Sequence, residues 1–324
     1  MKKSSLLNTY QPLYVLATSL IGFGIVLCLY VWFYPHPDLI GQQFEATPQF
    51  WIWVFLLGVE AMFYTVVLIP SWKQFIDLLK EQFRGKDPRQ RISIVIMLLL
   101  ASLFFVLLLE SVDVAVNLMR RSIQFNFPEG HSWRITFMTL YAAITVLPII
   151  LGMLLIQTRV HNKSAEIEAA KQDQARLFEI ARELLRYRHI LQTSLLIVGV
   201  MVSILPVATG ALRSILVVLG QANDNNFPMT LIAVYGLFYT SILIVFYAPV
   251  HLLLAETSRK LRDELCPIDD LAALEVNLKK REALDEWLET NNGLSQNLRT
   301  GVVTLFPLIT SLVVSLLGPN VKMP

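Results

Sequence analysis

Long apolar runs with almost no charge recur along this chain, and they settle its class before any single residue is considered. A run of roughly 18 or more apolar residues is long enough for a helix to cross the hydrocarbon core of a bilayer. Six runs meet that length, at about 13–34, 51–71, 92–114, 135–157, 190–220 and 229–255. The expected fold is therefore all-α, a polytopic helical membrane protein with its six spanning helices paired into three outward hairpins. Composition agrees, with 55% hydrophobic and 16% charged residues and a mean hydropathy of +0.55, beyond that of an average soluble domain.

Charge is informative through its position, since a net +2 points to no particular partner and gives no ground for nucleic acid. Short loops rich in Lys and Arg stay on the cytoplasmic side. With the N-terminus inside, that side receives Lys2 and Lys3, six basic residues between Lys73 and Arg91, seven between Arg159 and Arg188, and seven between Arg259 and Arg299. The other side receives only Arg120, Arg121 and Arg134. Trp32, Trp51, Trp53 and Trp133 fall at the outer interface and Trp72 at the inner one, where amphipathic rings settle; Trp287 is the exception. The first run is too long for a signal-peptide core and ends in Tyr30, Trp32 and Tyr34 without a small-residue cleavage site, so it reads as a retained span. The short basic start suits a bacterial inner membrane.

Between the spans lie charged stretches with helical spacing. Residues 1–157 hold spans 1–4, and 158–189 read as a charged helix continuous with span 5, because no Pro or Gly falls between Lys163 and Ile190. Spans 5 and 6 occupy 190–255, a second charged helical region 256–300, and a final apolar segment 301–324. Both charged regions, 158–189 and 256–300, offer faces for packing on each other, on a second copy in a homo-oligomer, or on a cytoplasmic protein partner. Neither is large enough for a conventional catalytic domain.

Glu60 is the sharpest functional signal. It lies nine residues into span 2, on the order of 14 Å deep at about 1.5 Å per residue. An ionisable group at that depth costs at least about 2.5–3.5 kcal/mol to insert, and so marks an ion or proton site, or else a hydrogen bond to Tyr64 that serves packing. Glu110 and Asp113, one helical step apart, reach the same depth as Arg213 and form a candidate outer vestibule or ion-pair cluster. Pro148, Pro206 and Pro249 interrupt spans 4, 5 and 6 and, with Gly210, are hinge candidates. In the tail, Thr304, Ser311 and Ser315 lie on one helical face, a candidate pore lining or packing face for a segment that spans, re-enters or lies in the interface.

No HExxH, P-loop, GxSxG or GxGxxG sequence is present, the five histidines are scattered, and the two cysteines lie in unlike surroundings. The expectation is no enzyme, no metal and no cofactor. The leading functional expectation is an oligomeric ion channel or membrane-permeabilising pore gated through its cytoplasmic helices, ahead of a membrane-anchored sensor or scaffold, with a secondary transporter third.

Overall fold

The computed structural model describes residues 5–32, 39–123, 131–225, 227–267, 274–288, 303 and 305–314, with side chains for all of these except 5–10, 31–32, 39–41, 108–123, 131–132 and 274–276. Every regular element among them is helical. In order they are α1 (Ser5–Leu27), continued by a π turn at Cys28–Trp32, α2 (Leu39–Ala46), α3 (Pro48–Phe83), α4 (Pro88–Ile123), α5 (His131–Ala169), α6 (Gln174–Val218), α7 (Thr230–Leu265), α8 (Leu274–Trp287) and the short apolar α9 (Leu305–Val314). Six of these, α1 and α3 to α7, are long and apolar enough to cross a membrane. Helices suit that role because each satisfies its own backbone hydrogen bonds where water is absent.

Local sequence fixes the ends. Pro48 opens α3 at a position where a missing N–H costs nothing. α6 closes on Gly220, whose φ of 70° is a left-handed conformation natural to glycine. Gly220 N–H reaches Val217 O at 3.0 Å and Gln221 N–H reaches Leu216 O at 2.8 Å, a Schellman closure.

The charged stretch 158–189 is two helices rather than the single helix expected from its lack of Pro and Gly. α5 runs on to Ala169, the chain turns through 170–173, and α6 begins anew with Asp173 as its N-cap, whose carboxylate accepts from Arg176 N–H at 3.0 Å. An aspartate that caps is enough to start a helix where the run of residues alone shows no break.

α3 sits at the centre. It packs against α1, α5 and α6, while α7 packs against α5 and α6, and α4 lies mainly along α5, with Phe104 also meeting Phe246 of α7. Small residues allow the close approaches: a Cβ on Gly22 would collide with the Ala61 carbonyl, and one on Gly58 with the Phe23 ring. On the outside of α4, Leu99, Leu100 and Leu103 are exposed, as a face turned to lipid requires.

At one end of the bundle ion pairs tie the helices together. Arg186 of α6 forks onto Glu81 of α3, with one bond at 2.9 Å. Lys260 of α7 reaches Ser164 of α5 at 3.2 Å and Glu168 at 3.3 Å. α8 is held by Arg188 of α6, which donates to the Leu288 carbonyl, and by Arg262 of α7, which donates to both oxygens of Asp285 at 3.0 and 2.8 Å.

Candidate functional site

Four helices, α3, α5, α6 and α7, leave a cavity of about 240 Å³ between them, with Tyr30 of α1 and Phe105 of α4 completing its wall. Most of the lining is aliphatic or aromatic, from residues such as Leu57, Met153, Met201 and Phe246. Among the described residues, Glu60 is the only acidic or basic one in the lining. It is 2% exposed, and Tyr64, one turn further along α3, donates its hydroxyl proton to Glu60 Oε1.

Tyr30, Tyr239 and Trp53 bring two hydroxyls and an indole N–H to the lining, whereas the threonines and Tyr64 bring acceptors. Thr139 donates to the Ile135 carbonyl at 2.9 Å and Thr209 to the Leu205 carbonyl at 2.8 Å, each within its own helix. With those protons committed, and Tyr64 committed to Glu60, these three oxygens turn only lone pairs toward the cavity. Glu60, Tyr64, Thr139 and Thr209 therefore form a set rich in acceptors inside apolar walls.

One end of the cavity is closed by aromatic rings. Tyr30 and Trp53 stand edge to face at 5.2 Å between centroids, and Phe44 and Phe50 continue the cluster. Arg134, at 1% exposure, lays its guanidinium over the Tyr30 ring at 5.1 Å, a cation–π contact that places positive charge beside this aromatic cluster. Glu45 of α2 feels that charge. Burial raises its carboxyl above the ordinary value, and Arg134 draws it part of the way back.

The three prolines singled out as hinge candidates all lie inside lining helices: Pro148 in α5, Pro206 in α6 and Pro249 in α7. Each strips a carbonyl four residues earlier of its helical donor. For Pro148 that carbonyl is Ile144, and Trp72 of α3 donates to it at 3.1 Å. Pro70 of α3 frees Val66 in the same way, and Tyr14 of α1 donates to it at 3.2 Å.

The remaining sequence candidates separate. Arg213 binds Asp224 at 2.6 Å and the Phe227 carbonyl at 2.6 Å, so its partners belong to the α6–α7 connection. The side chains of Glu110 and Asp113 lie outside the described residues. Gly210 packs against Val314 of α9, with no room for a Cβ. Ser311 is fully buried, donates to the Leu308 carbonyl at 2.8 Å and lies against Gly236 of α7. Its place is a helix-packing contact; Thr304 and Ser315 lie outside the described residues. The acceptors Thr139 and Thr209 carried no sequence signal of their own. Among the described residues no group of His, Cys, Asp or Glu could hold a metal ion, and Cys28 and Cys266 are free thiols. Compared with family models, with curated proteins and with solved structures, the chain matches none.

Proposed function

We propose that this is an integral membrane transport protein that passes a cation or a proton through its own helix bundle, with Glu60 as the group that holds it in transit. The observation that carries the reading is the lining of the cavity: one buried carboxyl, bonded by Tyr64 and accompanied by the hydroxyl oxygens of Thr139 and Thr209, inside walls that are mostly apolar. Such a site suits a cation stripped of water and held briefly, and so a gated path rather than a permanently open one. Gating falls to α5, α6 and α7, the helices that carry both the lining and the prolines, and the charged helices that continue them are the levers on which a signal would act. The distribution of Lys and Arg favours a cytoplasmic position for those helices and a bacterial inner membrane for the protein.

The test is ion flux in proteoliposomes. Wild-type protein should carry a cation or proton flux that Glu60→Gln abolishes while leaving folding intact. Flux that the substitution leaves unchanged would remove Glu60 from the path, and no flux at all from well-folded protein under an imposed gradient would overturn the transport reading.

A second reading, a sensor or scaffold that docks a partner, is favoured by one patch. Phe178 of α6 and Trp287 of α8 lie with ring centroids 6.2 Å apart, and both are exposed among charged helices, with Leu278 exposed on α8. Serine at Phe178 and Trp287 should then destroy function in the cell without altering flux in liposomes.

A further inference from the structure

At the charged end, a pocket of about 500 Å³ opens between the end of α3, the last third of α5 and the first third of α6. Five cationic and three carboxylate side chains line it. Three of the cations have carboxylate partners. Lys163 lies between Glu166 and Glu183, at 2.6 Å from each. Arg176 pairs with Glu179 at 2.6 Å and Glu166 at 3.3 Å, and Arg186 is engaged by Glu81.

The other two, Arg84 and Arg159, have no carboxylate within ion-pair distance among the described residues. Arg159 Nε is closed off from solvent and has no hydrogen-bond partner there. A third cation feels the same charge. Burial lowers the Lys86 ammonium below its ordinary value, and Arg159 lowers it further. Five cations outnumber the three carboxylates of the lining, so Arg84 and Arg159 sit in a positive field, and an enclosed guanidinium N–H left without an acceptor costs free energy. Both penalties vanish if an anion occupies the pocket.

The neighbouring surface narrows the kind of anion. A second cleft, of about 570 Å³, shares Glu81, Arg84 and Arg186 with the first and runs along α3 to Pro70 and Ile190. The cleft itself stays charged through Lys73, Asp77 and Lys80, and along the same stretch α3 also exposes Ile69 and Ile76. The arginine pocket is thus joined along α3 to the place where the apolar run 51–71 ends. Paired planar guanidinium groups match a phosphate's oxygens better than they match a single halide.

We propose that this pocket binds a phosphate-bearing anion bridged between Arg84 and Arg159, bracing α3 against α5. The phosphate reaches it either as the headgroup of an acidic phospholipid, along the cleft from the bilayer, or as a free polyphosphate from the aqueous side.

Thermal unfolding of the full-length protein in neutral detergent tests this, with short-chain phosphatidylglycerol, phosphatidylcholine and inorganic pyrophosphate as separate additives. Phosphatidylglycerol or pyrophosphate should raise the wild-type Tm by ~2–5 °C, and phosphatidylcholine should not. The shift should vanish in Arg84→Gln/Arg159→Gln. A shift with phosphatidylglycerol alone assigns a lipid headgroup, and one with pyrophosphate assigns a free anion. No shift with either, or an equal shift in wild type and double variant, overturns the proposal. If the double variant fails to fold, Arg159→Lys keeps the charge and loses the fork. A shift at least halved in that variant supports the site, and an undiminished shift counts against it.

Discussion

Trp72 of α3 donates its indole proton, at 3.1 Å, to the Ile144 carbonyl, the one that Pro148 leaves without a helical donor. The same repair occurs between Tyr14 and Val66 beside Pro70. Each proline is thus also a point of attachment between helices, and the bond lost within one helix reappears across the bundle. Trp72→Phe keeps most of the ring and removes the donor. It should lower stability by about 1–2 kcal/mol, measured by reversible unfolding in mixed micelles. Unchanged stability would mean that another donor takes the carbonyl.

Tyr64 holds Glu60 by a single hydrogen bond from one turn away. Tyr64→Phe keeps the ring in the cavity wall and frees the carboxyl from its donor. On the transport reading, it should change the half-saturating ion concentration or the pH dependence of flux by about tenfold, the effect of roughly 1.4 kcal/mol. The overall fold should be unaffected. Flux with unaltered concentration and pH dependence would make Tyr64 a spectator.

α9 depends on glycine for its seat. A Cβ at Gly236 would overlap Ser311 and the Pro307 carbonyl, whereas Gly24 has nothing within 4 Å of the position a Cβ would take. Gly236→Val should therefore release the tail, seen as new labelling of a cysteine introduced at Leu308. Gly24→Ala should leave that labelling unchanged and hold or slightly raise stability, because alanine is the better helix former.

Gln82 of α3 is completely buried, and neither atom of its amide is hydrogen-bonded within the described residues. An unsatisfied buried amide is costly, and an apolar side chain of similar size removes that cost. Gln82→Leu should raise stability by about 1–3 kcal/mol. A fall in stability would point to an ordered water or ligand as the partner of the amide.

α8 is attached through Asp285, which accepts two bonds from Arg262. Asp285→Asn removes the charge from that pair and should weaken it by about 1–2 kcal/mol. Amide exchange should then quicken across 274–287 and stay unchanged in the lining helices α3 and α5. Quickening spread over the whole bundle would show that α8 is a structural keystone.

The six long helices were legible because hydropathy is a local quantity: a run such as 135–157 must be helical in a bilayer whatever it touches. Glu60 was legible as an anomaly for the same reason, a charge where none is cheap. Its neighbours were not, and the reason is geometric. From Ile190 onward α6 is apolar almost all the way round, so nothing in that part of its sequence says which side meets α3 and which meets α7. Thr209 reads like any other small polar residue until α5 and α7 are in place beside it. The partners of Arg213 among the described residues were hidden in the same way, since depth alone does not single out Asp224 or the Phe227 carbonyl, which bind it.

Hydropathy and charge along the chain were enough for the six long apolar helices, though not for the break at 170–173, and for the deep carboxyl of Glu60 among apolar residues. Tertiary structure decided which faces meet: the cavity around Glu60, the cross-helix donors for the carbonyls freed by Pro70 and Pro148, the seat of Ser311 on Gly236, and the single pocket that Arg84 and Arg159 both line. The division follows from physics. The cost of burying charge or backbone in hydrocarbon depends on a residue and its immediate neighbours, whereas the direction a side chain faces depends on how whole helices pack.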